Sequence, residues 1–437
     1  MSKDKINLIR ESIENVWHPC SRMDQYNDQN LIAIESGNKS WLRSVDGKDY
    51  FDAISSWWVN LFGHNNPYLK KNIISQLNKI EHVMLSGMTH QPVIDLSKRL
   101  NALTNLDHCF YSSDGSSAVE VALKVSYHYW KNKGQKKTKF ALLRNSYHGE
   151  TLGALSVTDV DIFSKNYYSL LNKNIILPNP SPKNYESQKQ LKEFALESFE
   201  KAEAILNKHH KTIAGLIIEP ILQCASGMNY YHPVYLKKLR KLCSKLNIHF
   251  IADEIAVGFG RTGKMFACQH ANVKPDIMCL SKGLSGGYLP IAATLVSKKI
   301  YREFLDPDVE KNFLHSHSFT GNPLACSAAI ATLDYFNQKL NIDKINEKSK
   351  LFNQVMMKLT KYNIKNFFNI GMIWRFDLPE NQEPSNFESF AREAGLLIRP
   401  IGRCVYIMPP YTSTLSDIKF VVRVLEQIFK RMQMDIS

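Results

Sequence analysis

Apolar residues recur along the middle of the chain in two alternating rhythms. HCFYSS (108–113), KFALLR (139–144), IAGLIIE (213–219), IHFIADE (248–254), DIMCLSK (276–282) and IAATLVS (291–297) are short apolar-rich runs with the length of buried strands. Between them the spacing widens to that of amphipathic helices. Val119, Ala122, Val125 and Tyr129 share one face of SSAVEVALKVSYHYW; Leu236, Leu239, Leu242 and Leu246 share one face of PVYLKKLRKLCSKLN. Apolar strands joined by such helices predict an α/β fold, a mainly parallel sheet flanked by helices.

The two ends of the chain follow another pattern. AIESGNKSWLRSVDGKDYFDA predicts a small antiparallel meander turning at DGK, and the C-terminal part mixes helices with GLLIRPIGRCVYIMPP. The expected organisation is a large domain over 56–335 and a small α+β domain built jointly from 1–55 and 336–437.

Composition changes this picture little. At 437 residues, 44% hydrophobic and 22% charged, the chain has the make-up of a globular enzyme. A net charge of +14 raises the question of nucleic acid. The lysines are dispersed, however, and the densest cluster, KNKGQKKTK (131–139), joins a helical pattern to a strand with no aromatic-studded basic stripe beside it. It reads as a solvated loop, so no nucleic-acid partner is expected. No apolar run is long enough to span a bilayer, and MSKDKINLIRES lacks the apolar core of a signal peptide, so the expectation is a cytoplasmic protein without membrane contact. Eight cysteines without a CxxC pair fit reduced thiols better than disulfides or a metal site.

Ligands of open α/β sheets sit beyond the carboxyl ends of the strands. There the sequence places SDGSS (113–117), NSYHGE (145–150), Glu219, Asp253–Glu254 and SKGLSGG (281–287). Asp114, Gly115, Ser116 and Ser117 open a helix, either as an anion site or as plain N-capping with Glu120 closing a capping box. Lys282 ends an apolar strand among small residues, a costly position for an amine unless it is paired or covalently engaged. In FIADEIAVGFGRTGK (250–264), Gly258, Gly260 and Gly263 mimic a dinucleotide fingerprint. Three residues separate them from the strand, and KMFACQHANVKPD is a poor helix, so the glycines read as loop geometry. Asp253 carries the interest. A carboxylate at one strand tip and a lysine at the next suit pyridoxal phosphate, whose protonated ring nitrogen a buried acid stabilises. Tyr147 and His148 offer an aromatic face to such a ring.

IIEPILQ, FIADEIAVGFGRTGKMFACQH, PDIMCLSKGLSGGYLP and FTGNPLACSAA resemble the class III, pyridoxal-phosphate-dependent aminotransferases over essentially the whole chain. VWHPCSRM, SSWWVNLFGHNNP, HVMLSGMTHQP and IRPIGRCVYIMPPY resemble the members that aminate 8-amino-7-oxononanoate to 7,8-diaminononanoate in biotin synthesis. The resemblance implies the type I fold of these transferases and a homodimer with shared active sites. It makes Lys282 the Schiff-base lysine and general base, and Asp253 the partner of the ring nitrogen. Gly115 and Ser116 become the phosphate site, reached across the interface by Ser318. Trp57, Trp58 and Tyr147 shape the substrate tunnel, Arg399 receives the substrate carboxylate with Tyr406 near it, and Arg261 and Glu219 have counterparts. The chain departs from the pattern at Cys20, where a substrate-contacting tyrosine is common, and at Ser316-His317-Ser318 in place of Gly-Pro-Thr; His317 adds positive charge beside the phosphate contact. S-adenosylmethionine is the implied amino donor, with lysine or another amine left open by Cys20; the alternative reading is another class III ω-aminotransferase, against which WHP and the double tryptophan argue.

Overall fold

The computed structural model describes residues 3–27, 31–184 and 187–433. The chain divides into two compact units. One spans Pro67–Asn346 with Ile370–Met372; the other combines the chain up to Asn66 with Glu347–Asn369 and Ile373–Ser437. The breaks thus fall at Asn66 and Asn346, somewhat beyond the 55 and 335 expected from the sequence pattern.

The larger unit is built on a seven-stranded sheet of β1 (His108–Ser112), β2 (Lys139–Leu143), β3 (Ile175–Leu177), β4 (Ile213–Ile218), β5 (His249–Asp253), β6 (Ile277–Leu280) and β7 (Ala292–Val296). Their spatial order is β1-β7-β6-β5-β4-β2-β3. Parallel pairing runs from β6 through β5, β4 and β2 to β3, whereas β7 lies antiparallel to both β6 and β1. Every residue of β4, β5, β6 and β7 is buried, which explains their largely apolar character. Helix α1 (Gly115–Asn132) buries Val119, Ala122, Val125 and Tyr129, the face its spacing predicts. Helix α2 (Pro233–Lys245) buries Leu236, Leu239 and Leu242, while Leu246 caps its end. Each such leucine contributes roughly 1.5–3 kcal/mol on burial.

In the smaller unit, strands Ile34–Asn38, Trp41–Ser44 and Asp49–Asp52 form an antiparallel meander. Leu396–Leu397 adds to its edge in parallel, pairing with Phe51 and Asp52. Strand Ile373–Asp377 pairs antiparallel with Cys404–Ile407. The helix Leu415–Arg431 starts at a capping box in which the Asp417 amide donates to Thr414 Oγ1 (3.2 Å) and the Thr414 amide to Asp417 Oδ2 (2.7 Å).

Directly after the meander, Ser55, Ser56, Trp57 and Trp58 have φ of 51°, 46°, 68° and 73°. Four consecutive non-glycine residues therefore wind left-handed. L-residues resist this by roughly 1–2 kcal/mol each, because Cβ crowds the carbonyl oxygen.

Candidate active site

Parallel pairing of β5 with β6 sets Asp253 opposite Cys279, so the tips of these strands lie side by side. Asp253 is 4% exposed, and both its oxygens are engaged. Oδ2 lies 2.7 Å from Nδ1 of His148, itself fully buried, and Oδ1 accepts from the Ile255 amide at 3.1 Å. The imidazole braces the carboxylate, a contact different from the aromatic face expected of His148. Its Nε2 is buried without a hydrogen-bond partner among the described residues.

Lys282 follows β6 with φ of 43°, a backbone conformation that lysine rarely adopts. Burial lowers the pKa of its amine, opposed by the nearby Cys224, Asp253 and Glu219. Glu219 lies at the end of β4 and accepts from the amides of Tyr147 (3.0 Å) and Cys224 (2.9 Å). Burial pushes its pKa up to about 7, against the influence of His148. Cys224 next to Lys282 was not singled out by the sequence pattern; it lies beyond the strand, in a turn with no chemical signature.

Asp114 caps α1, accepting from the Ser117 amide (2.9 Å) and hydroxyl (2.8 Å). The first backbone bond of this helix runs from the Ala118 amide to the Asp114 carbonyl, so the Gly115 and Ser116 amides precede it. Glu120 closes no capping box. Its Oε1 accepts instead from Thr151 Oγ1 and the Gly153 amide, at 2.6 and 2.8 Å, and so secures the next segment. Ser116 Oγ accepts from the Glu150 amide at 3.1 Å. Gly149, at φ 124°, passes so close that a Cβ there would stand 2.1 Å from Ser116 Oγ. Tyr147 places its hydroxyl on Glu150 (2.9 Å) and its ring against Phe163.

The glycine run behind Asp253 is loop geometry. Gly260 and Gly263 have φ of 90° and 85°, the Gly258 amide donates to the Glu254 carbonyl, and Glu254 accepts from the Ala267 and Cys268 amides, both at 2.8 Å. Arg261 is buried in the same loop. On a separate loop, Ser316 and Ser318 are exposed. His317 Nε2 lies 3.1 Å from Nε2 of His315, whose Nδ1 accepts from Lys124 at 3.0 Å.

The smaller unit gathers the other candidates. Arg399 donates to the Cys20 carbonyl at 2.6 Å, and its guanidinium lies 5.0 Å from the Trp57 ring. Cys20 and Arg399 both line a cleft of about 580 Å³ with Tyr26 and Ile54. Trp58 is buried, edge-to-face with the buried Tyr406 at 6.0 Å.

A desolvated amine, a braced buried carboxylate and an open helix start fit pyridoxal phosphate in aldehyde, ring nitrogen and phosphate respectively. The aminotransferase class-III family profile matches residues 23–429, and the chain belongs to that family. It is a pyridoxal-phosphate-dependent aminotransferase of fold type I.

Among its relatives, the adenosylmethionine-8-amino-7-oxononanoate aminotransferase of Helicobacter pylori is 43% identical, over 98% of both chains. The crystal structure of the enzyme of that name from Methanocaldococcus jannaschii aligns with a TM-score of 0.91 at 35% identity, covering 99% of this chain and 100% of that one. An amine transaminase from an uncultivated Pseudomonas species, solved with the cofactor bound, aligns at 0.89 and 30% identity, covering 96% and 99%.

Proposed function

We propose that this enzyme transfers an amino group from S-adenosylmethionine to 8-amino-7-oxononanoate, giving 7,8-diaminononanoate in biotin biosynthesis. The observation that carries it is a desolvated Lys282 beside a His148-braced Asp253, in a chain similar over nearly its full length to enzymes of that name.

Bound pyridoxal phosphate supplies an electron sink for the carbon bearing the amino group. Asp253 stabilises the protonated ring nitrogen, and its two hydrogen bonds keep it aimed without reorganisation. Gly115 and Ser116 hold the phosphate through helix-start amides and the dipole. Tyr147 covers the ring. Lys282, its pKa lowered by burial, would carry a proton from the substrate carbon bearing the amino group to the cofactor's aldehyde carbon, and back again in the second half-reaction. Arg399 binds the substrate carboxylate, with Trp57, Trp58, Tyr406, Cys20 and Ser316 contacting the rest of the substrate.

Two chains act as a homodimer in which Ser318 and His317 serve the partner's phosphate. The cytoplasm is the compartment that suits eight unpaired thiols.

The test is incubation of the cofactor-loaded protein with 8-amino-7-oxononanoate and a panel of donors. Diaminononanoate formed with S-adenosylmethionine is expected, and no product with any donor overturns the assignment.

A further inference from the structure

The left-handed turn Ser55–Trp58 contains no glycine, so it persists only where its surroundings dictate it. Asp52 supplies the side-chain part of that constraint at Ser56. It is 1% exposed, its Oδ1 accepts from the Ser56 amide at 2.9 Å, and its Oδ2 accepts from the Ser56 hydroxyl at 2.8 Å. His64 Nε2 completes the set, 2.9 Å from the same Oδ2. The imidazole is itself anchored, because His64 and Lys39 exchange backbone hydrogen bonds and a Cβ on Gly37 would collide with the His64 side chain at 2.8 Å. From the far side, Ser55 Oγ donates to the Met408 carbonyl at 2.7 Å.

The turn presents two consecutive indoles to different neighbours. Trp57, 42% exposed, lies beneath the Arg399 guanidinium, and Trp58 packs inward on Tyr406. A right-handed turn would send both rings elsewhere and leave Arg399 without its aromatic floor.

We propose that Asp52, braced by His64, is a positioning residue for substrate-carboxylate recognition: it holds the left-handed turn that seats Trp57 under Arg399. This rests on the assignment of Arg399 to the substrate carboxylate. Asp52 touches neither substrate nor cofactor and acts only through the turn.

The experiment compares wild type, Asp52→Asn and Asp52→Asn/Ser56→Gly as holoenzymes, using 8-amino-7-oxononanoate and its methyl ester, which lacks the anionic end. Asparagine presents one oxygen in place of two, so the hydroxyl and imidazole lose their acceptor. The preference for acid over ester is expected to fall by about tenfold through KM, with the cofactor's absorbance band and affinity unchanged. Adding Ser56→Gly should restore much of the preference, because glycine takes positive φ without strain. In the cofactor-free protein, hydrogen exchange across residues 52–64 should quicken in Asp52→Asn and slow again in the double variant. Equal losses for acid and ester, or unchanged exchange, would overturn the proposal. A wild type inert toward both substrates would instead count against the proposed function, leaving the exchange comparison to decide the role of Asp52.

Discussion

At position 253 a carboxylate sits 4% exposed with both oxygens committed, one to His148 and one to the Ile255 amide. Such preorganisation is what an acid opposite a ring cation requires, and its removal is costly. Asp253→Asn is expected to lower kcat by about 100-fold or more while leaving the fold intact, as steady-state kinetics and circular dichroism would show. Asp253 and Lys282 were legible in the sequence because strand tips are where α/β sheets place ligands. The bracing role of His148 was not, since that contact joins residues 105 apart and no local spacing encodes it.

A second residue gives a pH test away from this chemistry. His249 is buried, stacked on Trp130 and bonded to Ser126 Oγ at 2.9 Å. Burial lowers its pKa to about 4. The unfolded chain therefore binds a proton between the ordinary histidine value and about 4 that the folded chain refuses. The stability His249 contributes is full above about 6.5 and is lost as pH falls toward 4, up to about 3 kcal/mol. Urea midpoints at pH 5 and 7 should differ less in His249→Phe than in wild type.

At the scale of elements, hydrophobic spacing identified α1 and α2 and the strands β1, β2, β4, β5, β6 and β7, because packing against a sheet imposes those periods. It predicted a mainly parallel sheet and marked no exception, so the antiparallel run of β7 appears only in the structure. It did not mark β3, an edge strand of three residues. The left-handed turn at 55–58 was equally hidden, since serines and tryptophans carry no signal for positive φ and the bonds that impose it, from Asp52, His64 and Met408, leave no local pattern. Two substitutions probe the helix start proposed to hold the phosphate. Asp114→Ala removes the cap and should cost about 1 kcal/mol in chemical denaturation. Gly149→Ala adds a Cβ at φ 124° against Ser116, and should weaken cofactor affinity at least tenfold in a titration of the absorbance band.

For the molecule as a whole, the pairing of Leu396 with Phe51 shows how the two chain ends come to share one unit. The seven-stranded sheet, with its charged tips, forms the other. The proposed homodimer predicts a sedimenting mass of twice 50.1 kDa, independent of dilution through the micromolar range. The proposed chemistry requires that the cofactor attach at Lys282. Wild type and Lys282→Ala, each supplied with pyridoxal phosphate, would be reduced with borohydride, digested and analysed by mass spectrometry. A pyridoxyl group on Lys282 in the wild type and on no residue of the variant is the predicted result; a wild type left unmodified, or labelled at another lysine, would contradict it.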